Sequence, residues 1–134
     1  MTAARIEHVN LTVRDPDRTA ALIGGLFGWR VRWQGPSMAG GRTVHVGTEA
    51  QYLALYTARN LAYTDDQFRK GRPLNHVAVE VDDLDAIEAK VIEAGLTPFS
   101  HGDYDPGRRF YFFDPDGIEF EVVSYAAAAG AQAG

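Results

Sequence analysis

At 134 residues the chain has room for one domain, and 46% hydrophobic with 23% charged residues is the balance of an ordinary folded globular chain rather than a disordered or fibrous one. A formal net charge of -5 offers no long-range attraction to phosphate backbones or anionic lipid, so neither nucleic acid nor membrane is an expected partner. The absence of cysteine excludes disulfides, thiolate zinc sites and cysteine nucleophiles, leaves His, Asp and Glu to hold any metal, and suits a reducing cytoplasm.

In chain order, Ile6 to Val13 alternates in period two, with Val9, Leu11 and Val13 on one face and His8, Asn10 and Thr12 on the other, which predicts a strand. Asp15-Pro16 supplies a helix cap and a first-turn proline. Leu22, Ile23, Leu26 and Phe27 recur at helical spacing until Gly28 ends the run. Short β-prone runs follow at Trp29 to Trp33, Arg42 to Val46 and Tyr52 to Thr57, the first two separated by a Gly-rich loop at 34–41. The order is β-α-β-β-β.

From Asn75 that order begins again. His76, Val77, Val79 and Val81 repeat the pattern of His8, Val9, Leu11 and Val13 at an offset of 68; Asp83 caps a helix with Leu84, Ile87, Val91 and Ala94 on its apolar face, and Gly95 stops it. Ile118 to Val123 matches Tyr52 to Thr57 after the turn Asp114-Pro115-Asp116-Gly117. The expected fold is α+β, two tandem βαβββ modules forming a curved, cleft-lining mixed sheet. Residues 1–125 form the domain, with module one at 5–57, a linker at 58–74 and module two at 75–125. An Ala/Gly-rich flexible tail occupies 126–134. No apolar run reaches the ~18 residues of a membrane span and the N-terminus does not read as a signal peptide, so a cytoplasmic location is expected.

Apolar residues toward the helices put polar ones toward a shared cleft: His8, Asn10 and Thr12 from one first strand, His76, Ala78 and Glu80 from the other, and Glu119 and Glu121 from the last strand. Two histidines and a carboxylate are thereby expected to converge. His101 reads as a loop residue ahead of GDYDPGRR, and Arg108 and Arg109 as exposed loop arginines able to bind a substrate carboxylate.

The segments IEHVNLTVRDPDR, LNHVAVEVDDLD and FYFFDPDGIEFEVV, with the repeat, resemble the vicinal oxygen chelate superfamily, which includes glyoxalase I, extradiol dioxygenases, fosfomycin-modifying enzymes and bleomycin-resistance proteins; the likeness covers residues 5–125. The resemblance implies four pseudo-symmetric metal-ligand places, here His8, Ala54, His76 and Glu121. Because Ala54 cannot ligate, it implies a His8, His76 and Glu121 triad with open positions, suited to Fe(II) or Mn(II), with Zn or Ni also acceptable. It further implies Tyr111 as a catalytic tyrosine of the dioxygenase kind, and substrate contacts from Asn10, Tyr52, Ala54 and Arg109. Against particular branches, the acid/base histidine of the dioxygenases is missing near Gln51 and Tyr52. The threonine of the fosfomycin enzymes is replaced by Asn10, and their cleft lysines are absent from 97–109.

Two readings stay open. One is a divalent-metal-dependent enzyme acting on a small oxygen-chelating substrate by dioxygenase-like or lyase-like chemistry. The other is a metal-free small-molecule binding protein of the bleomycin-resistance type, its cleft lined by Trp29, Trp33, Tyr52, Tyr56 and Tyr111. A homodimer is expected in either case.

Overall fold

The computed structural model describes residues 3–59, 73–104 and 107–126. The chain divides into two compact units, Met1–Tyr63 and Thr64–Gly134. The first contains β1 (His8–Thr12), α1 (Pro16–Phe27), β2 (Arg30–Pro36), a 3-10 turn at Met38–Gly40, β3 (Arg42–Gly47) and β4 (Tyr52–Thr57). The second contains β5 (Val77–Glu80), α2 (Leu84–Glu93), β6 (Phe99–Tyr104), β7 (Gly107–Phe113) and β8 (Glu119–Ser124). Each unit is thus a βαβββ module, as the repeat predicts. The linker expected at 58–74 and the tail at 126–134 lie almost wholly outside the described residues.

Both helices start and stop for local reasons. Asp15 caps α1 by accepting from the Arg18 amide at 3.1 Å, and Asp83 caps α2 by accepting from the Ala86 amide at 3.0 Å. Gly28 closes α1 in the left-handed region at φ 72, and Gly95 follows α2 at φ 85, conformations that glycine adopts without a Cβ penalty.

The sheets have matching topologies, β1-β4-β3-β2 and β5-β8-β7-β6, each with one parallel pair (β1·β4, β5·β8) and two antiparallel ones. Register matches as well. Asn10 faces Ala54 and Ala54 faces His45 in the first sheet, while Ala78 faces Glu121 and Glu121 faces Tyr111 in the second. Gly41 and Gly107 enter β3 and β7 at equivalent points, and a Cβ on either would run into the carbonyl oxygen of Thr57 or Ser124, so neither position accepts a side chain.

The core of each unit sits between its helix and one sheet face. Val13, Ile23, Val44, Val46 and Leu55 are fully buried in the first, and Val91, Phe110, Phe112, Phe120 and Val122 in the second. At about 25 cal/mol per Å² of apolar area, this burial is the main force setting which face of each strand turns inward. The opposite faces carry the polar residues that matter below. The Asp114 to Gly117 turn between β7 and β8 forms as expected. Asp114 Oδ1 accepts from the amides of Asp116 and Ile118, both at 2.9 Å, and the Gly117 amide donates to the Asp114 carbonyl.

One stretch departs from expectation. His101, Arg108 and Arg109 are not in a loop: His101 lies on β6 and the two arginines on β7. The β6·β7 pairing breaks register between Phe99 and Gly102, where Ser100 takes φ 53, so the regular alternation that would announce a strand is interrupted at the point where it would be read. Among the described residues no helix is long and apolar enough to cross a membrane.

Candidate functional site

In the first unit, β1 begins with His8 beside Tyr52, its register partner on β4. Their rings stack at 4.9 Å; Tyr52 stacks in turn on His45 at 4.6 Å, and Trp33 leans on His45 at 5.2 Å. The Arg32 guanidinium lies 4.2 Å over the Tyr52 ring. His8 Nδ1 donates to Glu7 Oε1 at 2.7 Å, which in the neutral ring leaves the lone pair on Nε2. That same bond holds the Glu7 carboxyl below its ordinary value, while the Tyr52 hydroxyl, raised first by burial, also donates to Glu7 at 3.2 Å. Burial, reinforced by His8 and Arg32, depresses the His45 pKa and so favours its neutral form. Asn10 is exposed and Ala54 is buried.

In the second unit His76 precedes β5 and stands against two nearly buried carboxylates of β8. Its Nε2 is 3.0 Å from Glu121 Oε1, and its Nδ1 is 3.7 Å from Glu119 Oε2 and 2.8 Å from Asn75 Oδ1. Each histidine therefore rests Nδ1 on the side chain of the residue before it, Glu7 or Asn75. The Tyr111 ring meets His76 edge-on at 5.7 Å, and its hydroxyl is raised above its ordinary value by burial first and by the Glu121 charge second. His76, Phe99, Ser100, Tyr104, Tyr111 and Glu119 line a cavity of about 300 Å³, at the small end of ligand-binding pockets.

Of the expected site residues, the second unit brings together His76, Glu121, Tyr111 and Arg109, and the first brings together His8, Tyr52, Asn10 and Ala54 on neighbouring strands. Arg109 is not left open for a substrate carboxylate. Its Nη1 donates to Glu121 Oε2 at 3.0 Å, with side-chain exposures of 10% and 9% for the pair. Arg108 pairs with Asp85 at 2.9 Å and His101 with Glu88 at 2.6 Å, both between strand and helix. Residue-by-residue reading missed Phe99 and Tyr104 as cavity walls, whereas the period-two alternation of β8 had already put Glu119 on the cleft face with Glu121.

The donor chemistry suits a divalent cation. With Nδ1 protonated, His76 Nε2 and Glu121 Oε1 are two acceptors 3.0 Å apart, which repel unless a cation or a proton lies between them. Two donors at about 2.1 Å from one ion, at about a right angle, are themselves about 3 Å apart. Among the described residues, however, no group of three or more His, Asp or Glu side chains is assembled to hold a metal ion.

Comparison with known proteins bears on the fold and the family. The chain is similar in structure to a glyoxylase/bleomycin resistance protein/dioxygenase domain from Frankia sp. EAN1pec, with a TM-score of 0.76 and 21% identity over 92% of this chain and 98% of that one. It is similar to a trypanothione-dependent glyoxalase I of Leishmania major, with a TM-score of 0.75 and 18% identity over 92% and 88%. It is also similar to a mutant of the fosfomycin resistance protein FosX from Listeria monocytogenes, complexed with Mn(II) and a dihydroxypropylphosphonic acid, with a TM-score of 0.70 and 16% identity over 91% and 93%. At these identities the likeness is one of fold. No curated protein matches the chain by sequence. The family model of the Glyoxalase/Bleomycin resistance protein/Dioxygenase superfamily matches residues 5–122, nearly the whole chain, and the protein belongs to that superfamily.

Proposed function

We propose that the protein is a divalent-metal-dependent enzyme of its superfamily, acting on a small substrate that chelates through vicinal oxygens, with dioxygenase-like or lyase-like chemistry. The observation that carries this reading is the pair of potential ligand atoms His76 Nε2 and Glu121 Oε1, 3.0 Å apart. His8, whose Nδ1 is taken up by Glu7 and whose Nε2 is then the nitrogen available to an ion in the neutral ring, is the third ligand in this reading, and Ala54 leaves the fourth place open. Fe(II) or Mn(II) is the favoured ion for two imidazoles and one carboxylate, and Mn(II) accompanies FosX in one structural relative.

When bound, such an ion polarises coordinated oxygens as a Lewis acid. The chain's own residues do the rest. Phe99 and Tyr104 supply apolar faces that exclude water from a bound ligand, and Tyr111 keeps its proton through the neutral range, because burial and Glu121 raise its pKa, and holds it at Oη as a hydrogen bond donor. A homodimer in the cytoplasm completes the proposal, each sheet having two edge strands within its own unit to cover.

A second reading has its own observation. Arg109 already neutralises Glu121, and a doubly protonated His76 would satisfy the same contact, so a metal-free cavity lined by Phe99, Tyr104 and Tyr111 could bind a small molecule directly. Titration calorimetry with Mn(II) separates the two. The metal reading expects about one ion per chain and loss of binding in His76→Ala; indistinguishable titrations of wild type and variant would overturn it.

A further inference from the structure

We infer that Arg109 is a positioning residue that restricts Glu121 to presenting a single oxygen, so that a coordination position stays open for a chelating substrate. The inference rests on the metal reading above. Glu121 divides its two oxygens between two partners: Oε1 faces His76 Nε2 at 3.0 Å, and Oε2 accepts from Arg109 Nη1 at 3.0 Å. Chelation of an ion through both oxygens would make Oε2 divide its lone pairs between the ion and the Arg109 N–H, so the bond to Arg109 competes with the second oxygen's approach to the ion.

Arg109 is itself held at several points, so it does not simply swing aside. Nη2 donates to the carbonyls of Gly107 at 3.1 Å and Tyr104 at 3.4 Å, and the guanidinium lies 4.4 Å over the Tyr104 ring. Its planar fork makes these contacts together with the bond to Glu121, which lysine cannot do. The first module builds the same hairpin with Thr43 at the place of Arg109 and Ala54 at that of Glu121. The guanidinium therefore occurs where the carboxylate does, and the hairpin itself does not require it.

The two consequences of removing Arg109 have the same sign. A fixed positive charge beside the ion is lost, and a second oxygen is released toward it. An outer partner that merely oriented its ligand would instead lower affinity by about 10–100-fold on removal. The sign of the change thus separates Arg109 from a merely orienting partner, and the Co(II) spectrum separates a released oxygen from the lost charge.

The experiment uses the full chain as wild type, Arg109→Met and Arg109→Gln, with folding checked by circular dichroism. Mn(II) affinity is measured by calorimetry and coordination by the visible spectrum of the Co(II) form. Arg109→Met should bind Mn(II) about tenfold more tightly, with weaker Co(II) bands as the coordination number rises. Arg109→Gln, which keeps a donor for Oε2 but no charge, should bind more tightly while leaving the Co(II) spectrum as in wild type. Weaker or unchanged affinity in Arg109→Met, or a Co(II) spectrum unchanged from wild type, overturns the inference. Should that variant fail to fold, weaker or unchanged affinity in Arg109→Gln does so. A wild type that binds no Mn(II) brings down the metal reading itself, whereas wild-type binding with unresponsive variants brings down only the role of Arg109.

Discussion

The two modules share topology, helix caps and strand register, yet their polar faces have diverged. At equivalent places the first has His8, His45, Tyr52 and Ala54, and the second has His76, Tyr111, Glu119 and Glu121. One face is a stack of aromatic rings under a guanidinium; the other is a histidine between two carboxylates with a half-buried arginine behind. The scaffold tolerates this because the face that packs on the helix sets the fold, whereas the other face is constrained only by its own neighbours.

The core layers give the largest test of that comparison. Phe112 stacks on Phe120 at 5.4 Å and is fully buried, and its counterpart in the first module is Val46. Phe112→Ala should cost about 3–5 kcal/mol. Val46→Ala, losing two methyl groups, should cost about 1–2 kcal/mol. Urea denaturation of both variants measures the contrast, and equal losses would mean that the modules do not unfold with separate core contributions.

Next in size is an attempt to erase the divergence. Ala54→Glu places a carboxylate at the counterpart of Glu121, in a buried position and without an arginine, since position 43 is Thr43. The metal-free variant should melt below wild type, because an unpaired buried carboxylate is costly. Mn(II) should bind about tenfold more tightly and recover the loss. Affinity and Co(II) spectrum identical to wild type would show that residue 54 does not face the ion.

The smallest effect concerns a shared ion pair. Arg42 bridges Asp17 through two bonds, 2.7 and 2.8 Å, while the equivalent Arg108 and Asp85 share one at 2.9 Å. The hydrogen bond from Arg42 holds the Asp17 carboxyl below its ordinary value. Stability from this pair is therefore present above the unfolded carboxylate pKa and is lost as pH falls through the lower folded one. Asp17→Asn should slightly flatten the acid limb of a melting temperature profile at low salt, and less so at high salt, as the pair is exposed. An unchanged acid limb would assign the pair no part in acid stability.

How much was legible in advance follows from the range of each interaction. The helix boundaries at Asp15, Gly28 and Asp83 depend on contacts within a few residues, so they read directly from the chain, as did β4 and the 67 to 68 residue repeat. Apolar alternation likewise marked Leu11 and Val13 as the buried side of the first strand, because hydrophobic burial acts on residue type, whereas β8 is buried on both faces, its carboxylates included. The commitment of Arg109 to Glu121 was not legible. It depends on the β7·β8 register, which sets Arg109 opposite Val123 and diagonal to Glu121 on the same face. His101 was misread because Ser100 breaks the strand's periodicity, and its bond to Glu88 comes from an element earlier in the chain. Residue type and local spacing determined the modules and their candidate donors; the tertiary structure alone decided which charges neutralise one another, since that depends on distances across a sheet that no local pattern encodes.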